Sequence, residues 1–118
     1  MTAAQAVALC DALQPNDYPE AQKLHWLTRL EAALYQEVAA WHENPPQAPG
    51  ACAPDTVLFA PEPYCGLYAD YLAAMLHMQD GEYERYTNAM LRYNSAYCAF
   101  ANHYNRTHAP ARARNVHL

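Results

Sequence analysis

The stretch from residue 82 to residue 108 constrains the fold more than any other part of the chain. No proline or glycine interrupts it, and four alanines favour helix formation. Its large apolar and aromatic residues recur at alternating steps of three and four, at Tyr83, Tyr86, Met90, Tyr93, Tyr97, Phe100 and Tyr104. This spacing is typical of one apolar stripe along a long α-helix. At about 1.5 Å per residue, the helix would be roughly 40 Å long, which is longer than one small core covers evenly.

Two interpretations of this stripe stay open at the level of sequence. Five of its seven residues are tyrosines, whose rings favour burial and whose hydroxyls need water or a partner. The stripe is either the core face of a helical bundle, or it continues past the core and contacts another protein chain. If Tyr97 is buried, as a core stripe implies, Tyr97→Ala lowers the free energy of unfolding by about 3 kcal/mol.

Periodic stretches before the long helix predict two helices in the first third of the chain. Thr2 is expected to cap a helix over Ala3–Leu13, which Pro15 ends. A second helix is expected from about residue 19 to residue 41 or 42, with Trp41 on its apolar side. The charged residues assigned to its solvated face are Lys23, Arg29, Glu31 and Glu37.

The short gap before the long helix predicts how the last two helices are arranged. A third helix is expected from Pro63 and Tyr64 to about Asp80. Gly81 follows it, at the position just past a helix end where a left-handed backbone suits glycine. Because the gap between Asp80 and Glu82, where the long helix opens, is so short, the two helices must fold back as an antiparallel hairpin.

Residues 43–63 have a different composition and predict an irregular connector. Six of the nine prolines lie in this segment. Its apolar part, residues 56–60, is expected to dock onto the helices, and the segment as a whole is a natural place for a binding loop. We therefore predict a single helical domain over residues 1–108 with a proline-rich connector at 43–63. Residues 109–118 are predicted to form a flexible tail after the stop at Ala109 and Pro110.

Composition agrees with an all-α fold of one domain. The 118 residues suit one domain with a sizeable core, and only three of them are glycine. No stretch alternates apolar and polar residues in the manner of a strand. The predicted fold is an all-α, four-helix arrangement with an antiparallel C-terminal hairpin.

The charge of the chain is distributed unevenly. The net charge is −5, and Arg106, Arg112 and Arg114 lie in the last thirteen residues, which leaves four basic and twelve acidic residues before them. An acidic body disfavours specific nucleic-acid binding, which needs clustered basic residues. The arginines at the C-terminus either order against an acidic groove of a neighbouring copy or remain solvated.

No grouping of reactive residues in the sequence predicts an enzyme. The cysteines at 10, 52, 65 and 98 form no CxxC pair, and no HExxH motif or GxxxxGK[ST] phosphate loop occurs. We therefore expect no enzymatic activity, no cofactor, no metal and no small-molecule substrate. The chain shows neither a signal-peptide pattern nor eighteen consecutive apolar residues, so we expect no membrane span and a cytosolic protein with reduced cysteines.

The C-terminal half resembles small structural proteins encoded in prophages of Gram-positive bacteria. It shares a Pro-x-Pro-Tyr-x-x-x-Tyr opening, a Gly-Glu-Tyr-x-Arg-Tyr turn, asparagines in the long helix and a closing Tyr-Asn-Arg-Thr-His. These patterns correspond here to Pro61, Pro63, Tyr64, Tyr68, Gly81, Glu82, Tyr83, Arg85, Tyr86, Asn88, Asn94, Tyr97, Tyr104, Asn105, Arg106, Thr107 and His108. Leu13 to Val38 carries a weaker likeness to the beginning of the same proteins.

The resemblance implies a head–tail connector (adaptor) protein of a tailed phage. Members of that family are helical, lack enzymatic activity and assemble as a ring beneath the portal at the capsid vertex. The expected partners are copies of the chain itself and portal or tail-completion proteins, and the expected location is the virion, with the host cytoplasm during assembly. The expected interface residues are Tyr68, Tyr83, Tyr86, Tyr93, Tyr97, Tyr104, Arg106, Arg112 and Arg114.

The alternative is a cytosolic helical interaction module with no viral role. Such a module would use the same tyrosine stripe in a two-fold homodimer. The oligomeric state in solution separates the two functions, because a stable two-fold dimer favours the module.

Overall fold

The computed structural model describes residues 1–111 and has four α-helices. They are α1 (Ala3–Leu13), α2 (Glu20–Glu37), α3 (Gly66–Gln79) and α4 (Tyr83–Thr107), with a single 3-10 turn at Ala39–Trp41 after α2. In this part of the chain, extended backbone pairs only at two isolated bridges, Thr2 with Val57 and His42 with Pro110. The all-α fold predicted from the sequence is confirmed.

Local signals in the sequence account for where α1 begins and where the last two helices turn. The Thr2 hydroxyl accepts a hydrogen bond from the Gln5 N–H at 3.2 Å, and the Gln5 side chain accepts one from the Thr2 N–H at 2.8 Å. This capping box satisfies two amides at the helix start. Gly81 has a φ of +74°, and its N–H donates to the Met78 carbonyl at 3.2 Å. The predicted cap and the predicted hairpin turn are both present.

Helix α3 lies at the centre of the molecule. It forms the antiparallel hairpin with α4 and also packs against α1 and α2. The turn between α1 and α2 and the turn between α3 and α4 lie at the same end of the molecule. There the Tyr18 hydroxyl donates to the Asp80 carboxylate at 2.6 Å. The largest fully buried side chains are Tyr68, Phe100, Leu27, Leu34, Leu67, Leu72, Leu76 and Cys10. All four helices therefore contribute to one core.

The proline-rich connector is held against the helices by its backbone. The Ala3 N–H donates to the Thr56 carbonyl at 2.9 Å, and the Leu58 N–H donates to the Met1 carbonyl at 2.9 Å. Leu58 and Ala60 are buried in the core. As predicted, residues 56–60 dock onto the helices, here beside the start of α1.

The predicted end of the second helix is wrong. Helix α2 ends at Glu37, and the 3-10 turn that follows changes the direction in which side chains point. As a result, Trp41 is 65% exposed instead of lying on an apolar stripe. Apolar spacing alone does not reveal this break, because residues 38–41 (Val-Ala-Ala-Trp) contain no helix-breaking residue.

The first residues of the predicted flexible tail, 109–111, are bonded to the segment after α2. The Glu43 N–H donates to the Ala109 carbonyl at 2.8 Å, and the Ala111 N–H donates to the Trp41 carbonyl at 2.9 Å. Pro110 forms an isolated antiparallel bridge with His42, in the segment after α2. The remainder of the predicted tail, residues 112–118, lies outside the described residues.

Candidate protein-interaction surface and connector cleft

The tyrosine stripe of α4 is core over part of its length and accessible over the rest. Its buried members are Tyr93, Phe100 and Tyr104, its half-buried members are Tyr86, Met90 and Tyr97, and Tyr83 is 66% exposed. Tyr83 is the first residue of α4, next to the hairpin turn, whereas Phe100 and Tyr104 lie in its C-terminal part. Helix α4 has 25 residues against 14 in α3. Its C-terminal part therefore extends beyond α3 and is covered by the connector, with the rings of Phe100 and Phe59 5.4 Å apart.

Three of the expected interface residues are placed in the core, and the expectation for them is corrected. Tyr68 is fully buried, because it lies on the central helix α3. The rings of Tyr93 and Tyr71 are 5.4 Å apart, and those of Tyr104 and Phe59 are also 5.4 Å apart. Tyr68, Tyr93 and Tyr104 therefore contact the chain's own residues and offer no surface to another protein.

Four accessible tyrosines of α3 and α4, together with Met90, form one surface, which we call the hairpin surface. It consists of Tyr71, Tyr83, Tyr86, Met90 and Tyr97. Burial raises the pKa of Tyr71 and of Tyr97, and the nearby Glu37 carboxylate raises the pKa of Tyr97 further. These hydroxyls therefore remain neutral hydrogen-bonding groups at physiological pH.

The arginines expected at the interface are only partly placed by the structure. Arg106 is exposed in the last turn of α4, where a cation interacts favourably with the helix dipole. Arg112 and Arg114 lie outside the described residues. Three of the six expected tyrosines, Tyr83, Tyr86 and Tyr97, lie on the hairpin surface.

A buried polar network was not anticipated from the sequence. Glu31, assigned above to a solvated helix face, is only 3% exposed. Its Oε1 accepts a hydrogen bond from the Tyr68 hydroxyl at 2.6 Å, and its Oε2 accepts one from the Phe59 N–H at 2.8 Å. The Ala60 N–H in turn donates to the Tyr68 hydroxyl at 2.8 Å. The network joins α2, α3 and the connector.

Burial controls the ionisation of this network. It raises the pKa of Glu31 more than the hydrogen bonds from Tyr68 and Phe59 lower it. It also raises the pKa of Tyr68 far above its usual range, and the neighbouring Glu31 charge raises that pKa further. The burial of Glu31 could have been predicted from the sequence. Glu31 lies four residues after Leu27 and three before Leu34, so it shares a helix face with two core residues.

Beside Glu31, a cleft of about 260 Å³ opens between α2 and the connector. The residues of its lining that matter here are Glu31, Tyr35, Pro46, Pro49, Cys52 and Phe59. The Cys52 N–H donates to the Thr28 hydroxyl at 2.9 Å, which fixes this part of the connector on α2. The cleft therefore has a carboxylate and otherwise largely apolar walls.

A second charged residue of α2 is also buried, contrary to expectation. Lys23 is 2% exposed, and its Nζ donates to the Asp11 carboxylate at 2.8 Å. Burial tends to raise the pKa of Asp11, but hydrogen bonds from Lys23 and Asn16 outweigh it and lower that pKa. This pair joins α1 to α2 and has a structural role.

The described part of the chain brings together no recognisable metal site. Within residues 1–111, no three His, Cys, Asp or Glu side chains lie in an arrangement that could hold a metal ion. No helix in these residues combines the length and the apolar character needed to span a membrane. Comparisons of the chain with protein-family models, curated proteins and solved structures found no match.

Proposed function

We propose that the chain is a non-enzymatic structural subunit of a phage or prophage particle, a head–tail connector (adaptor) that docks in a ring at the portal vertex. It would act in the virion and be present in the host cytoplasm during assembly. The observation that carries the proposal is the hairpin surface, in which Tyr83 is exposed and the other three tyrosines and Met90 are half-buried. The motifs between Pro61 and His108 that resemble connector proteins support it.

The hairpin surface has the composition of a protein interface. Tyrosine and methionine are enriched at the centres of such interfaces, where charged residues are depleted. Tyr83 is 66% exposed, so its ring gains most from being covered. Tyr86, Met90 and Tyr97 are half-buried and need little reordering to complete a contact.

The distribution of charge along the chain supports contacts between unlike surfaces of neighbouring copies. All twelve acidic residues precede Arg85, whereas five of the seven basic residues lie from Arg85 onward. A closed ring needs a head-to-tail contact in which one surface meets a different one. Opposite charges on different parts of one chain favour that arrangement over like-to-like pairing.

The oligomeric state in solution tests the proposal against the two-fold module. Native mass spectrometry over a range of concentrations is expected to find monomers or closed rings, with rings visible by negative-stain electron microscopy. A stable two-fold dimer would contradict the connector and favour the module.

Substitutions on the hairpin surface test which residues make the contact. Tyr83→Ser combined with Tyr86→Ser is expected to abolish ring formation, or binding to a portal ring, with little change in melting temperature. Leu91→Ser is the matched control, because Leu91 is 63% exposed on α4 and is not part of the hairpin surface. Assembly that is lost in the control but kept in the double variant would place the interface elsewhere.

A further inference from the structure

The cleft beside α2 contains a buried carboxylate that forms no ion pair with any of residues 1–111. Glu31 is 3% exposed and lines the cleft. Its hydrogen bonds come from two neutral donors, the Tyr68 hydroxyl and the Phe59 N–H. The ion pairs found among residues 1–111 involve other acids and leave Glu31 out. A buried charge is costly unless a charge of opposite sign compensates it.

The hydrogen bonds of Glu31 leave room for a bidentate partner. Each carboxylate oxygen has two lone pairs, and each oxygen uses one of them, Oε1 toward Tyr68 and Oε2 toward Phe59. One acceptor direction remains on each oxygen. A guanidinium can donate to both oxygens of one carboxylate, whereas an ammonium group acts as a single point charge.

The walls of the cleft suit the same group. Tyr35 and Phe59 contribute aromatic surface, and Pro46 and Pro49 contribute apolar surface. A guanidinium is planar and weakly hydrated, so it stacks on rings and enters an apolar site more readily than an ammonium. The volume of about 260 Å³ lies just below the roughly 300 Å³ at which sites for drug-sized ligands begin. It therefore fits a group the size of one side chain.

We propose that this cleft binds an alkylguanidinium, the group at the end of an arginine side chain, with Glu31 as its anion. Tyr35 and Phe59 form the walls beside the bound group. The site does not depend on a role in a phage particle, so it is tested separately from the function proposed above.

Two cysteines provide a direct assay on the unaltered chain. Cys52 lines the cleft and is half-buried, whereas Cys98 is exposed on α4. Alkylation by iodoacetamide is followed at each cysteine by peptide mass spectrometry, in ethylguanidinium chloride or in sodium chloride of equal ionic strength. Ethylguanidinium is expected to slow alkylation of Cys52 several-fold and to leave Cys98 unchanged. An unchanged rate at Cys52, or equal slowing at both cysteines, would overturn the proposal.

Two substitutions of the same type on α2 identify the anion. Glu31→Gln and Glu37→Gln each remove one carboxylate, but only Glu31 lines the cleft. Glu31→Gln is expected to weaken protection of Cys52 by at least about tenfold, as expected for loss of a charged hydrogen-bonding partner, and Glu37→Gln is expected to leave it unchanged. If Glu31→Gln melts below the assay temperature, Tyr35→Ala replaces it, with a several-fold weakening expected. Equal protection in wild type and in the folded cleft variant contradicts the proposal.

The source of the guanidinium is resolved by varying the protein concentration without added ligand. If an arginine of a second copy fills the cleft, alkylation of Cys52 slows as the concentration rises. The triple variant Arg106→Gln, Arg112→Gln, Arg114→Gln then abolishes that dependence. A rate that does not depend on concentration, together with protection by ethylguanidinium, identifies a guanidinium compound supplied from outside the chain.

Discussion

Glu31 and Tyr68 illustrate how single residues fix the connector on the helices. The Tyr68 hydroxyl accepts from the Ala60 N–H and donates to Glu31, so one phenol joins three elements. Apolar periodicity predicts neither role, because it identifies Tyr68 only as an aromatic residue on a helix face and says nothing about its hydroxyl. Loss of either partner should lower the free energy of unfolding, because a buried donor or acceptor without a partner keeps its desolvation cost.

Removal of the Tyr68 hydroxyl is expected to destabilise the fold. Tyr68→Phe leaves the Ala60 N–H without its acceptor and should lower the free energy of unfolding by about 1–3 kcal/mol. Tyr71→Phe on the same helix is the control. No hydrogen bond from the Tyr71 hydroxyl is found within residues 1–111, so a change below about 0.5 kcal/mol is expected. Chemical denaturation measures both, and equal effects would argue against the network.

Glu31 is expected to give stability a specific pH dependence. Its pKa is raised from 4.5 by burial, so the folded chain binds this proton more readily than the unfolded chain. The Glu31 contribution is therefore fully present below about pH 4.5 and is lost as the pH rises through the folded pKa. The free energy of unfolding of wild type minus that of Glu31→Gln should increase on acidification across this window. A difference that stays constant or decreases would contradict a raised pKa.

Two aromatic residues of the α4 stripe are expected to differ in their contribution to stability. Phe100 is fully buried, so Phe100→Ala should cost about 3–5 kcal/mol. Tyr97 is half-buried, so Tyr97→Ala should cost about 1 kcal/mol, which is less than the cost expected from sequence. Urea denaturation of the two variants provides the measurement. A larger loss for Tyr97→Ala would show that the stripe faces the core differently.

At the scale of elements, helix boundaries that are marked by local residues can be predicted well from the sequence. The Thr2 cap and Gly81 mark their boundaries, and the uninterrupted stripe marks α4. The predicted end of α2 is wrong, because a 3-10 turn at Ala39–Trp41 replaces the last turn of the helix. The segment from Trp41 to Glu43 is bonded to Ala109 and Ala111. No pattern within residues 38–41 encodes a partner that lies about 70 positions later in the chain.

Hydrogen exchange should divide the connector into two parts. The amides of Leu58, Phe59 and Ala60 donate to groups on other elements, so they are expected to exchange at least about tenfold more slowly than those of residues 47–51. Residues 47, 48, 50 and 51 show no backbone donor contact within the described chain. Uniform rapid exchange over residues 47–60 would mean that the connector is not held by these bonds.

At the scale of the whole molecule, the location of the free surface was harder to predict than the fold. Periodicity shows which side chains share a face of α4, but not how far α3 and the connector cover that face. Tyr93 and Tyr104 are covered, whereas Tyr83 is left exposed. The cleft at Glu31 depends on the path of the connector, which six prolines make irregular but do not specify. The fold class was therefore predictable, and the surface only in part.

The composition of purified particles tests the central proposal most directly. Particles released by inducing a prophage that carries this gene are banded in a density gradient and analysed by quantitative mass spectrometry. We expect peptides of this chain to band with portal and capsid peptides, at a fixed number of copies per particle. Peptides that remain in the soluble lysate and are missing from the particle band would contradict a role as a structural subunit.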